Sequence, residues 1–174
     1  MILTRRIGFI MFLICTSVAA VAEVYQEPGE FIKGVFSGNP PSAKKLWLTG
    51  ELKKKVRTIL GRDLGVLRLR YWLKQGRSAW ILEEIGKERP ITTGIVINNG
   101  QIEQIKVLVF REVRGWEVRY PFFTDQFDGA VLDSELMLDR PIDGISGATM
   151  SVSAVTRLAR LALLLHQYVS FDTE

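Results

Sequence analysis

The sequence has very little of the two side chains that most often bind metals. It contains one cysteine, Cys15, and one histidine, His166, in 174 residues. Cys15 lies in an apolar N-terminal stretch, so a chain without that stretch has no thiol for a disulfide, for catalysis or for an iron–sulfur cluster. His166 lies late in an apolar helical pattern, where a histidine is more often a core or surface residue than a ligand. No His/Cys metal site is available, and redox chemistry would need an organic cofactor.

The sequence also lacks a strong excess of charge. Its formal net charge is +4, and loss of Arg5 and Arg6 with the N-terminal stretch lowers it to +2. No block of like charges resembles a nucleic-acid-binding arm, and the three lysines at 53–55 fall in a predicted helix, which indicates a solvated face. We therefore expect no nucleic-acid partner.

The first residues have the pattern of a secretory signal peptide. Arg5 and Arg6 give a positive start, an apolar stretch follows, and the small residues Ala20 and Ala22 fit a cleavage site. The stretch is short for a membrane span, although an uncleaved N-terminal anchor is the alternative. We predict a signal peptide over residues 1–22, a periplasmic or exported location, and one domain over residues 23–174.

Hydrophobic periodicity predicts two helices and then a run of strands. Helical spacing covers residues 30–36 and 51–60, and Gly61 ends the second helix. Alternation of apolar and polar residues then predicts four strands, at residues 66–73, 78–85, 92–98 and 101–110. The Asn-Asn-Gly sequence between the last two is a tight-turn signal, so these strands form an antiparallel meander.

The remaining third of the chain predicts a loop and a long helix. Residues 111–127 are rich in arginine and aromatic side chains, and residues 122–127 fit one helical turn. From about Met150, apolar residues recur at helical spacing to Val169. Together the elements predict an α+β fold, an antiparallel sheet meander with flanking helices and a C-terminal helix on one sheet face.

Small residues and hydroxyls directly precede the last helix, in the sequence DGISGATMS at residues 143–151. Residues 144–148 nearly match the G-x-S-x-G elbow of hydrolases, but Ala148 replaces the second glycine and no apolar strand precedes it. Two interpretations stay open. Either Ser146 or Thr149 only caps the helix, or the helix start binds a phosphate through its unpaired N–H groups.

The same stretch resembles the flavinylation motif of the FMN-binding domain family. That motif has an acidic residue, a small residue and then Ser/Thr-Gly-Ala-Thr, which this chain matches at Asp143, Ser146, Gly147, Ala148 and Thr149. The resemblance is strongest over residues 94–170, because the segment NNGQIEQIKVLVFRE is also similar to its counterpart in the family. Glu112 stands where the family has Glu-Thr-Pro-Gly, and this chain departs from that run with EVRGWEV.

The resemblance implies a covalently bound flavin. In this family a flavin transferase uses FAD and a divalent metal to join FMN to the last threonine of the motif as a phosphoester. That threonine is Thr149, and Ser146, Gly147, Ala148, Ser151 and Asp143 are the neighbouring cofactor-binding residues. The resemblance further implies an electron-transfer carrier at the periplasmic side of the membrane, with the transferase and a membrane or periplasmic redox protein as partners. No residue set identifies a substrate pocket, which argues against a stand-alone enzyme.

The loop at residues 111–127 is expected to form a wall near the flavin ring. Glu112, Trp116 and Arg119 are its predicted flavin contacts, because an indole can cover the ring and a guanidinium favours an anionic reduced flavin. The alternative is that the aromatic side chains fill the core, and it applies most to Phe122, Phe123 and Phe127. The competing function is a non-redox periplasmic binding or regulatory module whose Ser-Gly-Ala-Thr segment is only a helix cap.

Overall fold

The structure, a computed structural model, describes residues 22–170, so the predicted signal peptide lies outside the described residues except for Ala22. Its strands are β1 (Glu23–Val24), β2 (Lys44–Trp47), β3 (Arg68–Lys74), β4 (Arg77–Ile85), β5 (Pro90–Asn98) and β6 (Gln101–Phe110). Its helices are α1 (Pro28–Val35), α2 (Gly50–Leu60), α3 (Pro121–Thr124) and α4 (Thr149–Ser170). Two 3₁₀ turns, Trp116–Arg119 and Asp125–Phe127, flank α3.

The six strands form one antiparallel sheet in the order β1-β6-β5-β4-β3-β2. Strands β3 to β6 follow one another as a meander, and β4 pairs with β5 from Arg77 opposite Asn98 to Ile85 opposite Pro90. The β5–β6 turn places Asn99 and Gly100 at φ of 50° and 79°, the left-handed conformation that the Asn-Gly pair favours. The predicted α+β fold and its meander are confirmed.

Helices α4 and α2 cover one face of the sheet. On β4, Trp80 and Leu82 point into the core on this face, and β5 contributes Ile91, Ile95 and Ile97 to the same core. The facing side of α4 is buried along its length from Ser151 to Val169. Because each fully buried large aliphatic or aromatic side chain contributes about 1.5–3 kcal/mol, this contact dominates the energy that holds α4 across the sheet.

Helix α1 packs on the opposite face, where Gly94 permits a very close approach. A Cβ atom at Gly94 would lie 2.5 Å from Cε1 of Phe31, so the aromatic ring rests directly on the β5 backbone. Phe31 belongs to a second, smaller core with Ala79 and Val96. The glycine in the middle of an otherwise β-branched strand therefore marks a packing contact.

The main core contains one buried polar chain. His166 is buried, Trp80 Nε1 donates to Ser78 Oγ at 2.9 Å, and Ser78 Oγ lies 2.8 Å from His166 Nδ1. The serine oxygen accepts the indole N–H, and the tautomer of the imidazole sets which atom donates between Ser78 Oγ and His166 Nδ1. Burial lowers the pKa of His166 from its ordinary value, so the folded protein favours the neutral ring.

Several elements differ from the sequence-based expectation. The edge strands β1 and β2 and the 3₁₀ turn at Trp116–Arg119 were not predicted, and β3 begins at Arg68 rather than at residue 66. Val66 and Leu67 lie outside the strand and are exposed. Within residues 22–170, no helix is long and apolar enough to span a membrane.

The lowered pKa of His166 predicts that the folded protein loses stability in mild acid. The lowered pKa means that the unfolded chain takes up a proton first as the pH falls below about 6.5. The contribution of His166 is therefore fully present above that pH and is lost below it, by at most about 1.4 kcal/mol per pH unit. Urea unfolding at pH 7 and pH 5 measures the loss in the parent and in His166→Gln. Since His166 is the only histidine, the variant should show a clearly smaller pH dependence; equal dependence in both proteins contradicts the assignment.

Candidate functional site

A tight turn over residues 145–148 delivers the chain into α4. The Ala148 backbone N–H donates to the Ile145 carbonyl at 2.9 Å, and Gly147 has a φ of 80°. This combination is typical of a type II turn, which needs a glycine-compatible conformation at its third residue. The Val152 N–H then donates to the Ala148 carbonyl at 3.0 Å and starts the helical ladder. Thr149 is thus the first residue of α4, and it is exposed.

The opposite side of the helix start is fixed by the loop that follows β6. Ala148 and Ser151 are buried, and they pack against Gly115, whose φ is 84°. A Cβ atom at Gly115 would lie 2.5 Å from Ser151 Oγ and 3.3 Å from Ala148 Cβ. The glycine therefore allows the loop and the helix start to touch, and the contact directs Thr149 away from the core.

Glu112 binds the turn between β4 and β5. Its Oε1 atom accepts three backbone hydrogen bonds, from Lys87 at 2.5 Å, Glu88 at 2.7 Å and Arg89 at 2.9 Å. The turn also closes on itself, since the Gly86 N–H donates to the Arg89 carbonyl. One carboxylate thus holds the β4–β5 turn against the loop after β6, at the mouth of the site.

These three segments enclose a cavity of about 360 Å³, which we call the Thr149 cavity. Its lining residues are Lys87, Glu88, Glu112, Val113, Arg114, Gly147, Ala148, Thr149, Met150 and Ser151. Five of the nine predicted cofactor-binding residues are among them: Thr149, Gly147, Ala148, Ser151 and Glu112. Asp143, Ser146, Trp116 and Arg119 are not among the lining residues. Lys87, Glu88, Val113 and Met150 had not been predicted, and Arg114 belonged to the predicted wall.

The polar groups around the Thr149 cavity fit a phosphoester. The first backbone N–H groups of α4 have no intrahelical partner, and the helix dipole favours an anion there. Arg114 and Lys87 add positive charge, and the only carboxylate within 4.0 Å of either in the described part of the chain is Glu88, 3.9 Å from Lys87 Nζ. At Gly147 a Cβ atom would have nothing within 4 Å, so the backbone is open to a ligand. Residues 22–170 offer no cluster of three metal-ligating side chains.

Trp116 and Arg119 form a separate cluster beside β1. The Arg119 guanidinium lies 4.4 Å from the ring centre of Tyr25, 4.9 Å from Tyr120 and 5.1 Å from Trp116, and it contacts Glu23 at 3.3 Å. Its hydrogen bond to Tyr120 raises the pKa of Arg119. Burial, with a hydrogen bond to Glu23, raises the pKa of Tyr25 to about 12. Contact of Trp116 and Arg119 with a flavin ring stays a prediction.

The aromatic side chains of the predicted wall divide between core and surface. Phe123 and Phe127 are fully buried and meet edge to face, with ring centres 5.4 Å apart. Phe122 is 60 % exposed. The alternative, in which these side chains fill the core, therefore holds for Phe123 and Phe127 and does not hold for Phe122.

A second, larger cavity of about 540 Å³ lies between β4 and the segment after α2. It is mostly apolar, with Leu64, Ile81 and Leu161 in its lining, and Arg62 and Glu84 at its polar side. It contains no part of the turn at residues 145–148. The chemistry expected of an exposed hydroxyl at a helix start therefore belongs to the smaller Thr149 cavity.

A comparison with models of protein families gives a match over the segment that contains most of this site. Residues 86–164 match the family model of the FMN-binding domain. The match supports a flavin-binding protein with FMN as its cofactor, and it covers the β4–β5 turn, β5, β6 and most of α4. The predicted family resemblance is confirmed, and the match starts at the turn that Glu112 binds. No curated protein and no solved structure matches the chain.

Loss of the Glu112 carboxylate should loosen the β4–β5 turn. In Glu112→Gln a weaker, neutral acceptor faces three N–H groups, and we expect the free energy of unfolding to fall by about 1–3 kcal/mol. Hydrogen exchange at the amides of residues 87–89 should accelerate as well. The matched control is Glu88→Gln. It also removes one negative charge, but from a side chain of the turn itself that is 71 % exposed. Equal effects of the two substitutions would show that charge alone matters.

The contact between Gly115 and Ser151 makes a second prediction. Gly115→Ala forces an alanine into a left-handed conformation and also places its Cβ against Ser151 Oγ. Gly129→Ala shares the positive φ, at 74°, but has nothing within 4 Å of the added Cβ. We expect about 1–2 kcal/mol of destabilisation from the conformation in both variants and about 1–3 kcal/mol more in Gly115→Ala. Chemical denaturation measures both, and equal losses would refute the close contact.

Proposed function

We propose that this protein is an exported electron-transfer flavoprotein in which FMN is joined to Thr149 through a phosphoester. A flavin transferase, using FAD and a divalent metal, would be the modifying partner. The new bond would join the threonine oxygen to the FMN phosphorus, and the AMP part of FAD would leave. The observation that carries the proposal is the exposed Thr149 hydroxyl group at the first residue of α4, on the Thr149 cavity of an FMN-binding domain.

The surroundings of the neighbouring hydroxyls favour Thr149 as the attachment point. Ser151 is buried under Gly115 and is not accessible to a second protein. Ser146 is exposed in the turn but is not a lining residue of the cavity. Thr156 lies on the same helix, where its hydroxyl donates to the Val152 carbonyl at 2.9 Å. Thr149 combines exposure with a place on the cavity.

The charges of the site suit a phosphate that stays in place. A phosphodiester on Thr149 would carry its negative charge at the positive end of the α4 dipole, which stabilises an anion by about 0.3–1 kcal/mol. Arg114 and Lys87 line the same cavity and offset the carboxylates of Glu88 and Glu112 there. A threonine hydroxyl needs a base to act as a nucleophile, and no histidine lies near it, since the single histidine is in the core. Activation is therefore assigned to the transferase.

The redox role follows from the cofactor. FMN accepts one or two electrons and so can connect carriers of different kinds. A covalent tether suits a location outside the cytoplasm, where a dissociable cofactor would be diluted. We therefore infer a periplasmic location reached through the predicted signal peptide, and a membrane or periplasmic redox protein as the exchange partner. Trp116 and Arg119 are kept as candidate ring contacts within this proposal.

Thr149→Val should abolish covalent flavin. The substitution keeps the shape of the side chain and removes its hydroxyl, so the protein co-expressed with a flavin transferase should lack the mass of bound FMN. It should also give no flavin fluorescence after denaturing electrophoresis. Thr149→Ser retains a hydroxyl and should recover part of the modification.

The matched control is Thr156→Val, which makes the same chemical change two turns further along α4. It should carry covalent FMN at the parent level. Full modification of Thr149→Val would move the attachment to another residue, and Ser146→Ala then tests the nearest exposed hydroxyl. A parent protein whose mass stays equal to its sequence in the presence of active transferase contradicts covalent attachment itself.

A further inference from the structure

One face of β2 and β3 carries positive charges and tryptophans. Residues directly opposite in an antiparallel pair share a face, and the register pairs Lys45 with Arg70 and Trp47 with Arg68. Alternate residues along a strand share a face too. We call the resulting surface the basic face, and its members are Lys45, Trp47, Arg68, Arg70, Trp72 and Lys74. The other face of the same strands packs on the core through Leu46, Leu69 and Tyr71.

The cations of the basic face have no acidic partners. Strands β2 and β3 contain no aspartate or glutamate. In the part of the chain that the structure describes, no carboxylate lies within 4.0 Å of Lys45, Arg68, Arg70 or Lys74, although ten ion pairs occur elsewhere. The nearest acidic side chain on the same face of β4, Glu83, pairs with Arg111 at 3.6 Å. Four positive charges are therefore left for an external anion.

The two tryptophans give the basic face an apolar component. Trp47 is 55 % exposed, and the Arg68 guanidinium lies 5.5 Å from its ring centre. Trp72 is half-buried beside Ala79 and borders a hollow of about 370 Å³, lined also by Pro28, Ile32 and Arg70. Val66 and Leu67, just before β3, are exposed as well. Basic side chains thus alternate with indoles and aliphatic groups.

We propose that the basic face binds the surface of a bilayer that contains anionic phospholipid. Same-face residues on a strand are about 7 Å apart, so Arg68 to Lys74 spreads charge over about 20 Å of one sheet face, beside α1. Such a surface matches a plane of phosphate groups. Indoles prefer the boundary between headgroups and acyl chains, and lysine and arginine beside them reach the phosphates. An acidic protein is the less favoured occupant, because the basic face presents isolated charges beside one exposed and one half-buried indole rather than a groove with paired hydrogen-bonding groups.

The test compares two variants that lose the same charge on opposite faces of the sheet. Lys45→Gln/Arg70→Gln removes two of the four charges of the basic face, and Lys53→Gln/Lys55→Gln removes two charges from the exposed side of α2. Full-length protein is sedimented with vesicles of phosphatidylcholine alone or with phosphatidylglycerol added. Each basic residue at an anionic surface contributes about 5-fold to binding, so the basic-face variant should bind the anionic vesicles about 25-fold more weakly. The α2 variant should bind nearly as well as the parent.

Equal loss in both double variants would attribute binding to net charge and would overturn the proposal. So would equal binding of the parent to neutral and anionic vesicles, or unchanged binding of the basic-face variant. Polyglutamate serves as a second probe. If the basic-face variant loses polyglutamate binding while its vesicle binding is unchanged, the occupant is an acidic protein and the lipid proposal is wrong.

A second measurement locates the contact on the protein. Brominated phospholipids in the anionic vesicles should quench the tryptophan emission, since Trp47 and Trp72 would lie against the bilayer. The quenched fraction should fall in Trp47→Phe. It should not fall in Trp116→Phe, which removes a 40 % exposed indole from the Arg119 cluster. The reverse pattern would assign the membrane contact to the Arg119 cluster and refute the basic face. Because none of these readouts involves bound flavin, their failure would leave the covalent attachment at Thr149 unaffected.

Discussion

The buried carboxylate of Glu84 fixes the position of α4 on the sheet. Its side chain is 4 % exposed and lies 2.6 Å from Arg62 and 3.4 Å from Arg157 of α4. Arg157 also donates to the Ile85 carbonyl at 3.4 Å. A shift of α4 by one turn would take Arg157 away and leave this buried carboxylate with Arg62 alone, so the ion pair disfavours such a shift. Because Thr149 precedes Arg157 by about two helical turns, this ion pair determines where the start of α4 leaves the core.

The central sheet and the final helix could be predicted from the sequence because their signals are local. Alternation and the Asn-Asn-Gly turn define β4 to β6, and an apolar stripe defines α4. The edge strands carry no such signal. Strand β1 has two residues and exists through its pairing with β6, and β2 has four residues of which three are exposed. Long-range pairing decides these elements, and single-sequence periodicity does not report it.

The part of the site that comes from one continuous motif could be predicted from the sequence. The part that distant segments form when the chain folds could not. Thr149 and its neighbours followed from the Ser-Gly-Ala-Thr sequence. Lys87 and Glu88 belong to a turn about sixty residues earlier, and only the hydrogen bonds of that turn to Glu112 bring it to the cavity. Arg119 is a different case. Its predicted flavin contact stays a prediction, and its surroundings, three aromatic rings and Glu23 beside β1, did not follow from the sequence. Arg119 ends a 3₁₀ turn that begins at Trp116, and this turn was not predicted.

The sheet register relates the flavin site to the proposed membrane surface. Strand β3 runs from Arg68 toward the tight turn at residues 75–76, so Arg68 and Trp47 lie at the opposite end of the sheet from Lys74. Strand β4 ends at the Arg68 end of the sheet, and the β4–β5 turn that lines the Thr149 cavity follows it. Contact through Trp47 and Arg68 would therefore hold the cavity near the bilayer, whereas contact centred on Lys74 would hold it away. Electron transfer weakens steeply with distance, so contact at the Trp47 end would suit exchange with a carrier in the membrane. On this argument the unpaired charges of β3 would help to place the exposed threonine of α4 near a carrier in the membrane.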